Sequence, residues 1–214
     1  MFFKSKFKDF EYNKNRIEAY SDAVIAIVIT LLVLELKAPH FISMDVKECF
    51  HQLAESAPEL FSWAISFLLV GVYWLQHHNV LHMAKKIDLK IVMINQISLM
   101  GICLTPFTSR LFGNNYNNPL SLTLLSMIFL LVSLTLCWMY GYIARNYLKD
   151  SYEQKTVLKN VRFSYLAGPG FYLLAAFCSW FSLITAYIVL MLIPVLFLFP
   201  LDKENKSKMT AEHT

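Results

Sequence analysis

Long apolar runs separated by short polar clusters dominate this chain. They cover residues 17–36, 59–81, 89–112, 120–142, 161–180 and 182–200. A helix crossing the hydrocarbon core needs about 20 predominantly apolar residues. The pattern therefore predicts an all-α integral membrane protein with six transmembrane helices. The first run is the least uniform, since its uninterrupted apolar part is only 23–34. Glu18 and Asp22 lie in or beside it and no small-residue cleavage site follows Leu34, so it is expected to be a permanent span, not a cleaved leader. Pro106 and Pro194 are expected to kink the third and sixth spans, and Gly168, Pro169 and Gly170 to interrupt the fifth. The connection 37–58 is the longest and is too short for a domain. The stretch 113–119 is an Asn-rich turn, and the last two runs form a tight hairpin. No internal repeat is visible. The expected organisation is a basic segment 1–15, a six-helix unit 16–200 and a polar tail 201–214.

Composition agrees with this picture, with 57% hydrophobic and 16% charged residues, where soluble domains carry about 25% charged. Short loops rich in Lys and Arg stay in the cytoplasm. If the N-terminus is inside, only Lys37, Lys47 and Arg110 of the 19 basic residues fall outside. Both termini are therefore expected to be cytoplasmic. The net charge of +4 then reports topology and not nucleic-acid binding, because the basic residues are spread over four inner segments. Phe3, Phe7 and Phe10, interleaved with Lys4, Lys6, Lys8 and Lys14, suit either a short amphipathic helix on an anionic leaflet or a loose basic tail. Cys49, Cys103, Cys137 and Cys178 match no zinc or redox spacing. No metal or cofactor is called for.

Polar side chains inside membrane helices are costly and mark an internal partner or a pathway. The densest group stands at the start of the first span: Arg16, Glu18, Tyr20, Ser21 and Asp22. Ser21 and Asp22 suit a helix end at the water boundary. They also suit a buried network, since His77 and His78 in the second span and Asn95 and Gln96 in the third lie near the same inner side. His78 and His82 share a helical face, but no Cys or close carboxylate completes a metal set.

Arg16-x-x-x-Tyr20-Ser21-Asp22 resembles the R-x-x-x-F-S-D signature of the transmembrane protein 175 family, with Tyr20 in place of the usual Phe. The run 23–34, Ser66-Phe67, Trp74, His77-His78, Asn95 and Pro106-Phe107 are similar as well; the last three spans match only in hydrophobicity and order. Members of that family are potassium channels of lysosomes and bacteria. The resemblance implies a bacterial inner-membrane channel for potassium ions, built as a homotetramer of six-helix chains with the first helices around a central pore. The family lacks the carbonyl filter of ordinary potassium channels, and this chain has no Thr-Val-Gly-Tyr-Gly segment.

Ile27, Leu31 and Leu34 share one helical stripe. Such a stripe ordinarily packs on another helix; the resemblance implies that it lines the pore and forms its narrowest rings. Four large apolar side chains on an axis make a dewetting constriction that penalises an ion by the water it must shed. Asp22 lies about 140° around the helix from Ile27 and faces the bundle if Ile27 faces the axis. Arg16, Ser21, Asp22, His77 and Asn95 are then expected to be a buried structural network and not ion ligands, with Glu35 attracting cations at the outer mouth. The expected partners are further copies of the chain, membrane lipid and potassium ions. A proton pathway or secondary transporter is the main alternative, although the span centres hold few ionisable residues. A membrane enzyme is a weaker one, since Ser21, Asp22 and His77 show no triad spacing or nucleophile elbow.

Overall fold

The computed structural model describes residues 12–39, 41, 45–149 and 167–198. They form helices α1 (Lys14–Leu34), α2 (Val46–Glu55), α3 (Ala57–Met83), α4 (Leu89–Ile102), α5 (Thr105–Asn114), α6 (Pro119–Asn146), α7 (Ala167–Cys178) and α8 (Leu183–Leu198). Among the described residues, four segments are long and apolar enough to cross a membrane: α1, α3, α4 with α5 as Leu89–Asn114, and α6. Helices α7 and α8 are shorter and apolar. The basic segment's Phe3, Phe7 and Phe10, residues 161–166 of the fifth run and the polar tail lie outside the described residues.

Helix ends follow local chemistry. Asn13 caps α1 by accepting from the Arg16 amide, Asp45 caps α2 through the Lys47 amide, and Asn118 caps α6 through that of Leu120. The third span is two helices and not one. Pro106 has no amide hydrogen for the carbonyl of Ile102, and the chain turns at Cys103 and Leu104 before α5 starts. Gly168, Pro169 and Gly170 stand in the first turn of α7, and the part of the fifth run that precedes Ala167 lies outside the described residues. Helix α8 runs on through Pro194.

The connection 37–58 holds an unexpected element. Helix α2 presents Val46, Phe50 and Leu53 as an exposed apolar stripe and buries no residue. It is amphipathic, but at ten residues it is short enough to pass for a loop of mixed composition.

Small residues let the spans approach closely. A Cβ on Gly101 of α4 would lie 2.8 Å from Cγ2 of Val132 in α6, and one on Gly113 would lie 3.1 Å from Cα of Glu59 in α3. Ser62 donates to the Ser109 carbonyl at 2.5 Å while Ser109 donates back to that of Ser62 at 3.3 Å, so α3 and α5 are bonded reciprocally. The Ser98 hydroxyl of α4 lies 2.9 Å from the Tyr73 hydroxyl of α3 and 3.0 Å from Oγ1 of Thr135 in α6. Around these bonds Ile65, Leu69, Ile91, Ile94, Leu125, Phe129 and Leu136 form the buried core.

At the cytoplasmic end expected from the charge pattern, backbone bonds join three segments. Tyr12 donates to Ile87 at 3.0 Å, Lys85 to Tyr147 at 2.7 Å and Lys149 to Met83 at 3.2 Å. Asp88 concentrates side-chain bonds there. It caps α4 through the Ile91 amide at 2.9 Å and accepts from Tyr142 at 2.6 Å and Tyr147 at 3.1 Å. Burial, then the Asp88 carboxylate, pushes the Tyr147 phenol above its ordinary pKa.

Candidate pore-lining face and polar network

Helix α1 has two unlike faces. Ser21, Ile25, Val28 and Leu32 recur at i, i+4, i+7 and i+11 and are buried against α3, α4 and α5. On the other side Ile27 is 58%, Leu31 43% and Leu34 74% exposed. The described helices thus leave the stripe picked out in the sequence largely uncovered.

Three of the five expected network residues come together. The Ser21 hydroxyl donates to the Ile17 carbonyl at 2.9 Å, which leaves its oxygen to accept from Asn95 Nδ2, also at 2.9 Å. That orients the amide so that Asn95 Oδ1 meets His77 Nε2 at 2.7 Å. An amide oxygen can only accept, so His77 carries its proton on Nε2. All three side chains are buried, and the chain of bonds ties α1 to α4 and α4 to α3.

Asp22 and Arg16 do not join this buried group. Successive residues on a helix point about 100° apart, so when Ser21 faces α4 its neighbour Asp22 cannot. Asp22 is exposed and accepts from Trp74 Nε1 at 2.9 Å. Arg16, five residues before Ser21, is also exposed, and its backbone amide is bonded to Asn13. Gln96 of α4 donates to the hydroxyl of the exposed Tyr20 at 2.9 Å. His78 and His82 stack with centroids 6.2 Å apart, while His77 is committed to Asn95. Glu35 is not a free carboxylate: its Oε2 lies 3.1 Å from Arg110 Nη1.

The Asp88 cluster was missed in the sequence, although an Asp directly before an apolar run is a recognisable N-cap signal. Its tyrosine partners lie more than fifty positions away and leave no local trace.

A family profile described as the endosomal/lysosomal potassium channel TMEM175 matches residues 16–106. A potassium channel of Chamaesiphon minutus is 31% identical over 175 residues, covering 78% of this chain and 84% of that protein. The chain belongs to the TMEM175 family. The crystal structure of a lysosomal potassium-selective TMEM175 homologue from Chamaesiphon minutus superposes with a TM-score of 0.76 at 26% identity, covering 86% of this chain and 96% of that one. The endosomal/lysosomal proton channel TMEM175 of Bos taurus is 36% identical over 95 residues, 41% of this chain and 19% of the bovine protein. The TMEM175 profile spans α1 to the α4–α5 junction, the region that holds both the exposed stripe and the Ser21–Asn95–His77 bonds.

Proposed function

We propose that this TMEM175 chain is a potassium-preferring cation channel of the bacterial inner membrane. Four copies surround one pore, which the α1 helices line with rings of Ile27, Leu31 and Leu34. The observation that carries the reading is the outward stripe on α1, which continues through the exposed Tyr20, bonded to Gln96 of α4. An Asp at the centre of a span costs roughly 2.5–3.5 kcal/mol on insertion scales, and less near its end. The exposed Asp22, on the other edge of α1, is likewise better placed against an adjoining copy or water than against lipid. The exposed faces of α6 and α8 are apolar by contrast, with Leu120, Leu124, Met127, Leu131, Leu134, Ile184, Ile188 and Leu192, and suit the lipid side.

Each chain crosses six times with both termini inside, α7 and α8 contributing to the last two spans. Ser21, Asn95 and His77 hold the pore helix at a fixed rotation on its neighbours, while Arg16 and Asp22 stand on the side available to adjoining copies. Proton conduction is the second reading, favoured by the name of the bovine relative.

Purified protein in liposomes with an outward potassium gradient tests both. The expected result is a passive flux that follows the potassium gradient and is smaller for sodium, from protein that is tetrameric in detergent. A flux of protons alone would favour the second reading, and a monomer or dimer would exclude the four-helix pore. An impermeant thiol reagent applied from outside is expected to label Cys49 and to spare a cysteine placed at position 155; the reverse labelling would invert the topology.

A further inference from the structure

The proposed pore ends outward at Leu34, the most exposed residue of the stripe, and Glu35 follows directly on the same helix. A carboxylate there, repeated around a four-fold axis, would raise the local cation concentration. The structure places a guanidinium group beside Glu35. Arg110 of α5 reaches Glu35 with Nη1 at 3.1 Å from Oε2, and the two line one recess with Glu59, Trp63, Ser109 and Asn114. Glu59 accepts from the Lys37 backbone amide at 3.4 Å.

We infer that Arg110 is a conductance-setting residue, which neutralises the Glu35 carboxylate at the outer mouth and so limits how strongly the channel concentrates potassium. The inference rests on the proposed channel. With the pair intact each subunit presents close to zero net charge from these two groups. Without Arg110, four carboxylates surround the entrance. Without Glu35, Arg110 faces only Glu59 in the recess, and the mouth concentrates cations less than in the parent.

The pair is partly exposed, so its contribution to stability is small; its effect on a permeating ion is the larger consequence. That effect must depend on salt. The screening length is about 30 Å at 0.01 M and about 3 Å at 1 M, so a mouth charge acts on arriving ions in dilute solution and is nearly invisible in concentrated salt. It must also depend on direction, since only ions entering from outside meet this mouth first.

Single-channel recording from reconstituted parent, Arg110→Gln, Glu35→Gln and the double variant tests the inference. In dilute potassium chloride, about 20 mM, inward conductance of Arg110→Gln is expected at least about twofold above the parent. Glu35→Gln is expected below it, with the double variant between the two single ones. In 1 M salt the differences should collapse, and outward currents should differ less than inward currents throughout. A parent that conducts potassium while Arg110→Gln matches it in dilute salt, or differs equally in dilute and concentrated salt, overturns the inference and leaves the channel standing. If Arg110→Gln does not assemble, Glu35→Gln decides alone: an unchanged inward conductance in dilute salt overturns the proposal. A parent without any potassium current removes the channel itself.

Discussion

Replacing Asn95 with Leu is expected to lower the thermal unfolding midpoint of the detergent-solubilised protein by about 4–8 °C, with little effect from Asp22→Ala. Interhelical hydrogen bonds in membrane bundles average only about 0.6 kcal/mol, so the loss of two bonds is the lesser part of the cost. The larger part is the buried Nε2–H of His77, which loses its acceptor; an orphaned buried donor costs about 1–3 kcal/mol. A total near 2 kcal/mol converts to the stated shift at about 2–4 °C per kcal/mol for a chain of this size. Ser21 suffers less, because its own proton still goes to the Ile17 carbonyl. The control is His77→Leu combined with Asn95→Leu. Removing donor and acceptor together should recover at least about 1 kcal/mol relative to the summed single variants. Strict additivity, or an Asn95→Leu protein as stable as the parent, would show that these bonds do not hold the helices.

This group also shows how far the sequence could be read. Polar residues in otherwise apolar helices stand out in one dimension, and Ser21, His77 and Asn95 were visible for that reason. Their mutual contact required only that antiparallel spans bring equal depths together. What composition does not show is helix rotation. Ser21 and Asp22 are adjacent in the signature and look like one feature, yet a helix separates them by about 100°; only Ser21 is turned to α4, and Asp22 is bonded to the exposed Trp74. Arg16 is lost from the buried group for the same reason. Once one residue is fixed inward, the rotation of the whole helix follows, and Ile27, Leu31 and Leu34 are left outward.

The four long spans were legible because lipid demands long apolar runs, and the break at Cys103 and Leu104 because proline removes a donor. Helix α2 was not legible. Its pattern fits an amphipathic helix, but three large apolar residues on one stripe of a ten-residue segment compete with an ordinary loop. The pairing of Glu35 with Arg110 links positions 75 apart and had no sequence signal. It changes the expected role of Glu35 from an open cation attractor to a neutralised one.

Leu31→Ala is expected to raise single-channel conductance several-fold and to bring potassium and sodium permeabilities closer together. Leu31 stands between Ile27 and Leu34 on the outward stripe, 43% exposed on the chain alone. In the proposed tetramer its side chains meet at the axis, where truncation removes three carbons from each of four subunits. A wider apolar ring wets more readily, and ions that keep more of their hydration shell are distinguished less by the water they must shed. Leu32 supplies the comparison. It is adjacent, of identical chemistry, turned about 100° away and only 1% exposed. Truncation to Ala at such a site costs about 2–5 kcal/mol and endangers assembly, so Leu32→Val is the better variant. It should lower stability while conductance and selectivity stay near the parent's. Both variants must first be shown to form the parent's oligomer, because misassembly would also abolish current. Recordings in which assembled Leu31→Ala is unchanged and Leu32→Val loses selectivity would mean that α1 turns its other face to the ions. The Ser21–Asn95–His77 bonds, which fix the present rotation, could not then survive in the conducting state.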